Sequence, residues 1–221
     1  MRMHRRLIGI LVLGMVVLAM VQVVGAETAQ TWYFTSEGAP SPWTGKIMTK
    51  GIEGGDTVIT LGKGERVWFY ADEVALCDVS FPSDGSWDVA YWVKALHPDE
   101  FGNGSVYTRV GYADSAGETV RKLSRSAGIK HPTEIEEIVE EGVAIFTVPK
   151  GGRLAVEVYW GSSPKGDLEI HCNPSGAHAS KLTSPSSDPG YPVPELSTLI
   201  LFSVGLLVLA GYVGLRRRNN K

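Results

Sequence analysis

Two stretches of this chain carry a period of two so sustained that little besides a half-buried β-strand fits them. Trp87, Val89, Tyr91, Val93 and Ala95 alternate with Asp88, Ala90, Trp92 and Lys94. Leu154, Val156, Val158 and Trp160 alternate in the same way with Arg153, Ala155, Glu157 and Tyr159. Side chains of a strand leave on opposite faces in turn, so each apolar set is one face offered to a core. Shorter patterns of this kind lie at 31–35, 57–61, 66–71, 76–81, 105–112, 119–123, 143–148 and 167–172. Turn residues punctuate them at Gly54-Gly55-Asp56, Gly62-Lys63-Gly64, Pro82-Ser83-Asp84-Gly85, Gly102-Asn103-Gly104 and Pro149-Lys150-Gly151-Gly152. Short strands at this spacing predict an all-β sandwich or barrel. One segment departs: Ile135, Ile138 and Val139 stand at i, i+3 and i+4 among five glutamates between Pro132 and Gly142. That spacing predicts a short acidic helix lying on the sandwich, with an edge strand as the alternative.

The ends obey another logic. Arg2, Arg5 and Arg6 precede an apolar run from Leu7 to Val24 that closes on Val24-Gly25-Ala26. A basic start, an apolar stretch and a small-residue triplet predict a signal peptide over 1–26, an uncleaved anchor being the other reading of the same run. Leu196 to Leu215 is uncharged throughout. At 1.5 Å per residue a helix there is about 30 Å long, the thickness of a bilayer's hydrocarbon core. Arg216, Arg217 and Arg218 follow at once, and basic residues beside a span favour the cytoplasmic side. The expected topology is a cell-surface protein whose folded part stands outside the membrane.

The residues before the span add a motif. Val193, Pro194, Glu195, Leu196, Ser197 and Thr198, then an apolar segment and an arginine cluster, resemble the tripartite PEP-CTERM sorting signal and its PEF-CTERM relative. That resemblance implies a membrane-embedded processing partner, an exosortase or archaeosortase, acting near the motif; a plain single-span anchor is the alternative.

Charge and composition set the remaining boundaries. Between residues 27 and 190, 14 basic residues against 23 acidic ones leave a net charge of −9. An acidic domain lacks the basic footprint that nucleic acid requires, so nucleic acid is excluded as a partner. Residues 27–173 suffice for one domain with its own core. Residues 174–192 are rich in Pro and Ser and predict an extended stalk, and 193–221 hold the sorting motif, transmembrane helix and basic tail. The segments W-D-V-A-Y-W-V-K-A and V-P-K-G-G-R-L-A-V-E-V-Y-W resemble a central strand and a late hairpin of the jelly-roll domains common in surface and carbohydrate-binding proteins. The expected fold is a jelly-roll-like β-sandwich of about 8–10 strands with one short helix.

Cys77 and Cys172 are the only cysteines, and both fall in sequence expected outside the cell. An even pair in an oxidising compartment predicts one disulfide, two free buried thiols being the alternative. Closing a loop of roughly 95 residues would contribute up to about 4–5 kcal/mol in the chain-entropy model. Asn103-Gly104-Ser105 is a glycosylation sequon in an expected hairpin loop. His171, Cys172 and His178 invite comparison with a copper or zinc site, but no Met follows Cys172 to serve as axial ligand, and no metal or cofactor is assigned. His97, Asp99 and Glu100 are read as a solvated turn rather than a calcium site.

G-x-S-x-G, H-E-x-x-H and P-loop motifs are absent, and no catalytic residue is assigned. The functional lead is aromatic: Trp68, Trp92 and Tyr159 are candidate ligand-stacking residues, because alternation turns several rings outward and exposed flat rings suit sugars or a protein interface. The expected function is that of an exported, anchored surface protein with a structural, adhesive or binding role, its partners being the membrane and envelope glycans or other surface proteins. A carbohydrate-binding module and a small secreted hydrolase are the competing readings.

Overall fold

The computed structural model describes residues 29–81, 85–96, 105–129, 134–161 and 166–191. Among these the chain is all-β, without a helix. The thirteen strands are β1 Thr31–Gly38, β2 Lys46–Thr49, β3 Thr57–Leu61, β4 Arg66–Ala71, β5 Val79–Phe81, β6 Trp87–Ala95, β7 Ser105–Ala113, β8 Thr119–Gly128, β9 Glu136–Gly142, β10 Phe146–Val148, β11 Arg153–Trp160, β12 Leu168–Cys172 and β13 Lys181–Thr183. Eleven of them form one sheet in the order β3-β12-β6-β13-β1-β2-β4-β11-β7-β8, with β9 on the other edge of β6, while β5 and β10 pair separately. The described pairings are antiparallel except that of β2 with β4.

This sheet folds back on itself into a jelly-roll-like sandwich, because each long strand has one apolar face to bury. Val89, Tyr91 and Val93 of β6 and Leu154, Val156 and Val158 of β11 enter one core together with Trp32, Phe34 and Phe69. The Phe34 and Phe69 rings stack at 4.2 Å. Tyr91 on β6 and Thr108 on β7 share a buried hydroxyl hydrogen bond of 2.8 Å across the layers. Removing this much apolar surface from water is the main stabilising term. Where the outer strands β8 and β9 come together, Arg125 Nε donates to the Glu141 carbonyl at 2.9 Å, so a side chain bridges two strands that do not pair with each other.

Three expectations are corrected. Residues 136–142 form strand β9 instead of a helix: its backbone pairs with β6 from Trp87 to Val93, and Ile138 alone of its apolar pair turns into the core while Val139 stays exposed. The open edge of β6 offers seven residues a ladder of backbone bonds, and that tertiary gain overrides a helix-like spacing only three apolar residues long.

The expected stalk is folded through Tyr191. Lys181–Thr183 inserts between β1 and β6 as β13. Tyr191 is fully buried, its hydroxyl donating to the Glu73 carbonyl at 2.9 Å and accepting from Leu154 N–H at 3.1 Å. Asp188 Oδ1 accepts from the backbone N–H groups of Gly190 and Tyr191 and shapes the turn that delivers that ring. Two apolar anchors, Leu182 and Tyr191, outweigh a Pro- and Ser-rich composition between them.

The expected disulfide is absent: Cys77 and Cys172 are free. Cys77 lies before β5, in the loop that follows β4, half-buried against the core. Cys172 ends β12 within the core, where burial pushes its thiol up to about 12.

The expected signal peptide, sorting motif, transmembrane helix and basic tail lie outside the described residues. Among the described residues no helix is long and apolar enough to cross a membrane.

Candidate functional site

The outward face of β4, β11, β7 and β8 concentrates the chain's unusual chemistry. Alternation sends Val67, Phe69, Val156, Val158, Val106 and Val110 into the core, so the intervening residues look out. Cross-strand register aligns these into rows. Arg66, Tyr159, Tyr107 and Ser126 form one row; Trp68, Glu157, Arg109 and Ser124 form the next; Tyr70, Ala155, Gly111 and Arg121 form the third. The last row is possible because β8 bulges opposite Val110 and Gly111. A β-carbon on Gly111 would collide with the backbone of Val120 and Arg121, so glycine lets the bulge close tightly.

Glu157 is the hub. Its side chain is 0% exposed, yet its two oxygens accept from three guanidiniums: Arg66 Nη1 at 3.2 Å, Arg109 Nη1 at 2.7 Å, Arg121 Nε at 2.8 Å and Arg121 Nη2 at 3.0 Å. The Arg121 contact is a two-pronged fork, the strongest form of carboxylate pairing. Burial pushes the Glu157 carboxyl up, but the hydrogen bonds from Arg121 and Arg109 and their charges outweigh it and hold the group below the ordinary glutamate range. The same bond raises the Arg121 guanidinium. Neighbouring Tyr70 is pushed up to about 12, chiefly by burial and then by the Glu157 charge.

Aromatic rings frame the ions. Tyr107 and Tyr159, both half-buried, lie with ring centres 5.6 Å apart. Arg66 and Arg109 stand over the Tyr159 ring at 5.4 and 5.5 Å, and Arg121 over Trp68 at 5.4 Å. Trp68 stacks along Tyr70 at 6.2 Å, forming with Ala113 and Ala155 a small apolar cluster outside the main core. Glu157 is the one carboxylate at the described strand positions of β4, β11, β7 and β8 that face this way, so the three guanidiniums bound to it exceed it by two charges, with buried Arg153 a fourth on the same face, over Trp43.

The three expected stacking residues do not form one site. Tyr159 is on this face and half-buried, with Arg66 and Arg109 over its ring. Trp68 is on it too, but at 9% exposure under Arg121 its ring is packing and not platform. Trp92 lies on another part of the same sheet, opposite His171 of β12, with its ring 4.8 Å from His178. His171 and His178 have rings 5.9 Å apart, whereas the intervening Cys172 side chain turns into the core, so the three do not converge as ligands. Burial, more than any neighbouring charge, lowers the His171 pKa. Among the described residues no group of three or more His, Cys, Asp or Glu is placed to hold a metal. Asn103, the sorting residues Val193–Thr198 and Arg216, Arg217 and Arg218 lie outside the described residues, as do His97, Asp99 and Glu100.

Sequence reasoning missed the arginine cluster. Its signal was present as a charge two positions from an aromatic on each of three strands: Arg66 with Trp68, Arg109 with Tyr107, and Glu157 with Tyr159. Residues two apart share a face, but which strands lie side by side is set by sheet order, and that is not written in any one segment.

No protein-family model matches the chain, and no curated protein matches it. Among solved structures, a CocE/NonD family hydrolase from Staphylococcus aureus overlays with a TM-score of 0.54 at 12% identity, covering 71% of this chain and 36% of the hydrolase. The chain thus spans about a third of that enzyme, and the likeness speaks for the fold alone. A CBM4 structure overlays with a TM-score of 0.36 at 12% identity, over 71% of this chain and 95% of the module. The CBM22-1 xylan-binding domain of Paenibacillus barcinonensis Xyn10C does so at 0.32 and 10%, over 72% of this chain and 97% of that domain. Overlays at those last two scores fix neither fold nor ligand.

Proposed function

We propose that this chain is a non-catalytic glycan-recognition protein of the cell surface. In this reading its N-terminal segment exports it, the apolar run from Leu196 to Leu215 tethers it, and an exosortase- or archaeosortase-like enzyme processes it near Val193–Thr198. The apolar runs and the flanking basic residues support the tethering half.

The observation that carries the recognition half is the pair of tyrosine rings, Tyr107 and Tyr159, side by side on an outward sheet face and flanked by arginines. A pyranose has an apolar C–H face and a rim of hydroxyls. A flat aromatic surface takes the first, while guanidinium N–H groups and the exposed Ser124 and Ser126 hydroxyls meet the second. The Tyr159 ring, held by cation–π contacts before a ligand arrives, and the Tyr107 ring packed beside it lose little freedom on binding.

The electrostatics speak against glycoside hydrolysis here. A general acid needs a carboxyl held above its ordinary pKa beside a second carboxylate, whereas Glu157 is held below it and has no carboxylate partner at the described strand positions of this face.

A glycan array probed with the full chain in neutral-lipid nanodiscs tests the reading. Binding to a subset of glycans is expected, weakened roughly tenfold or more by Tyr107→Ala, about the worth of one lost aromatic stack, with the near-ultraviolet circular dichroism of the fold kept. Absence of glycan binding contradicts it, as does binding that survives Tyr107→Ala and is lost in Trp92→Ala. Mass spectrometry of the mature protein from its native membrane tests export: a chain starting near Glu27 is expected, and a soluble species with both ends intact contradicts it.

A further inference from the structure

Resting on the glycan reading, we infer that the saccharide held on this face is acidic, with one sugar carboxylate on the outer edges of Arg66, Arg109 and Arg121 and its ring against Tyr107 and Tyr159.

The charge count comes first. Three guanidiniums converge on one carboxylate, which is fully buried beneath them, so its charge is engaged by those groups and is not offered to a ligand. Arg66 and Arg121 remain 49% and 42% exposed and Arg109 23%. Arg66 and Arg109 each spend one N–H on Glu157, and Arg121 spends two, of the five that a guanidinium carries. Glu157 therefore fixes the three forks from below while donor edges still face water. A planar carboxylate matches such forks, as Glu157 itself does from the inner side.

The surroundings select the size of the anion. The segment from 27 to 190 carries a net charge of −9, so the positive excess of this face is an island within a domain that is acidic overall. Duplex nucleic acid or an anionic bilayer would bring many charges to a domain whose net negative charge repels them. One carboxylate on an otherwise neutral sugar chain places its charge on the island and leaves uncharged rings for the tyrosines.

The test uses the full chain in neutral-lipid nanodiscs and five probes: a tetrasaccharide with one glucuronate, its methyl ester, its 6-sulfated neutral counterpart, duplex DNA and anionic vesicles. The glucuronate sugar is expected to bind at least about tenfold tighter than its methyl ester, the worth of one charge-assisted hydrogen bond. That margin is expected to shrink as salt rises and to vanish in Arg66→Gln. Should Arg66→Gln lose the fold, Arg66→Lys replaces it, because Lys keeps the charge but lacks the fork and is expected to lose most of the preference. Equal binding of acid and ester overturns the acidic assignment while leaving glycan recognition standing. Tighter binding of the sulfated sugar overturns the carboxylate assignment, and equal binding of DNA or vesicles overturns the saccharide. Binding of none of the five overturns this inference together with the reading beneath it.

Discussion

Replacing Glu157 by Gln keeps the volume and one carbonyl acceptor but removes the charge that gathers three guanidiniums. Breaking a buried ion pair by deleting one partner costs about 3–5 kcal/mol, mostly because the other charge is left uncompensated. Here the survivors are partly in water, Arg66 at 49% and Arg121 at 42% exposure, so solvent screens part of their repulsion. The loss should fall at the low end, about 3 kcal/mol, a drop of roughly 6–12 °C in Tm for a domain of this size. Urea unfolding of the full chain in nanodiscs, followed by tryptophan fluorescence, reads the difference directly. The pH dependence adds an independent check. Because the folded carboxyl is held below its ordinary range, its contribution is complete above the unfolded value of about 4.3 and drains as pH falls through the lower folded value. The gap between wild type and Glu157→Gln should be flat near neutrality and close in strong acid. A gap below about 1 kcal/mol at pH 7, the size of an exposed pair, refutes the argument, as does a gap that widens on acidification.

Other predictions follow from the same contacts. Tyr191→Phe keeps the buried ring but orphans the Leu154 N–H and the Glu73 carbonyl, so unfolding should show a loss of about 1–3 kcal/mol; no change would return 174–192 to a stalk. In the native full chain a thiol reagent should label Cys77, which is half-buried, well before Cys172, which should react only after denaturation; a Cys77–Cys172 cross-link that disappears on reduction would contradict free thiols. Gly111→Ala should disturb the β8 bulge and with it the Arg121 fork, costing about 2 kcal/mol and weakening glycan binding together; a stable variant with full binding would show that the bulge does not position Arg121.

Much of the sandwich was legible because β6 and β11 are long enough for alternation to be unmistakable. Strands β2 and β13 were missed because four and three residues carry no readable period. Strand β9 was misread because Ile135, Ile138 and Val139 satisfy a helical spacing, while the deciding partner, the free edge of β6, lies about 45 residues away in sequence. The C-terminal segment was misread from its prolines and serines, although Leu182 and Tyr191 sat within it as two isolated plugs. At the site, alternation found Tyr159 and put Trp68 on the right face, but could not see that Arg121 from another strand would cover it. Trp92 satisfied the same outward rule and landed on a distant strand of the sheet, since parity gives a residue's face and never its neighbours.

Ring-selective NMR of the full chain, with tyrosine and tryptophan labelled and the one-glucuronate tetrasaccharide as titrant, tests the central claim most directly. The Tyr107 and Tyr159 ring signals are expected to shift and saturate together while that of Trp92 stays still. Saturable shifts confined to Trp92, or ring signals unmoved throughout, would contradict recognition on the arginine and tyrosine face.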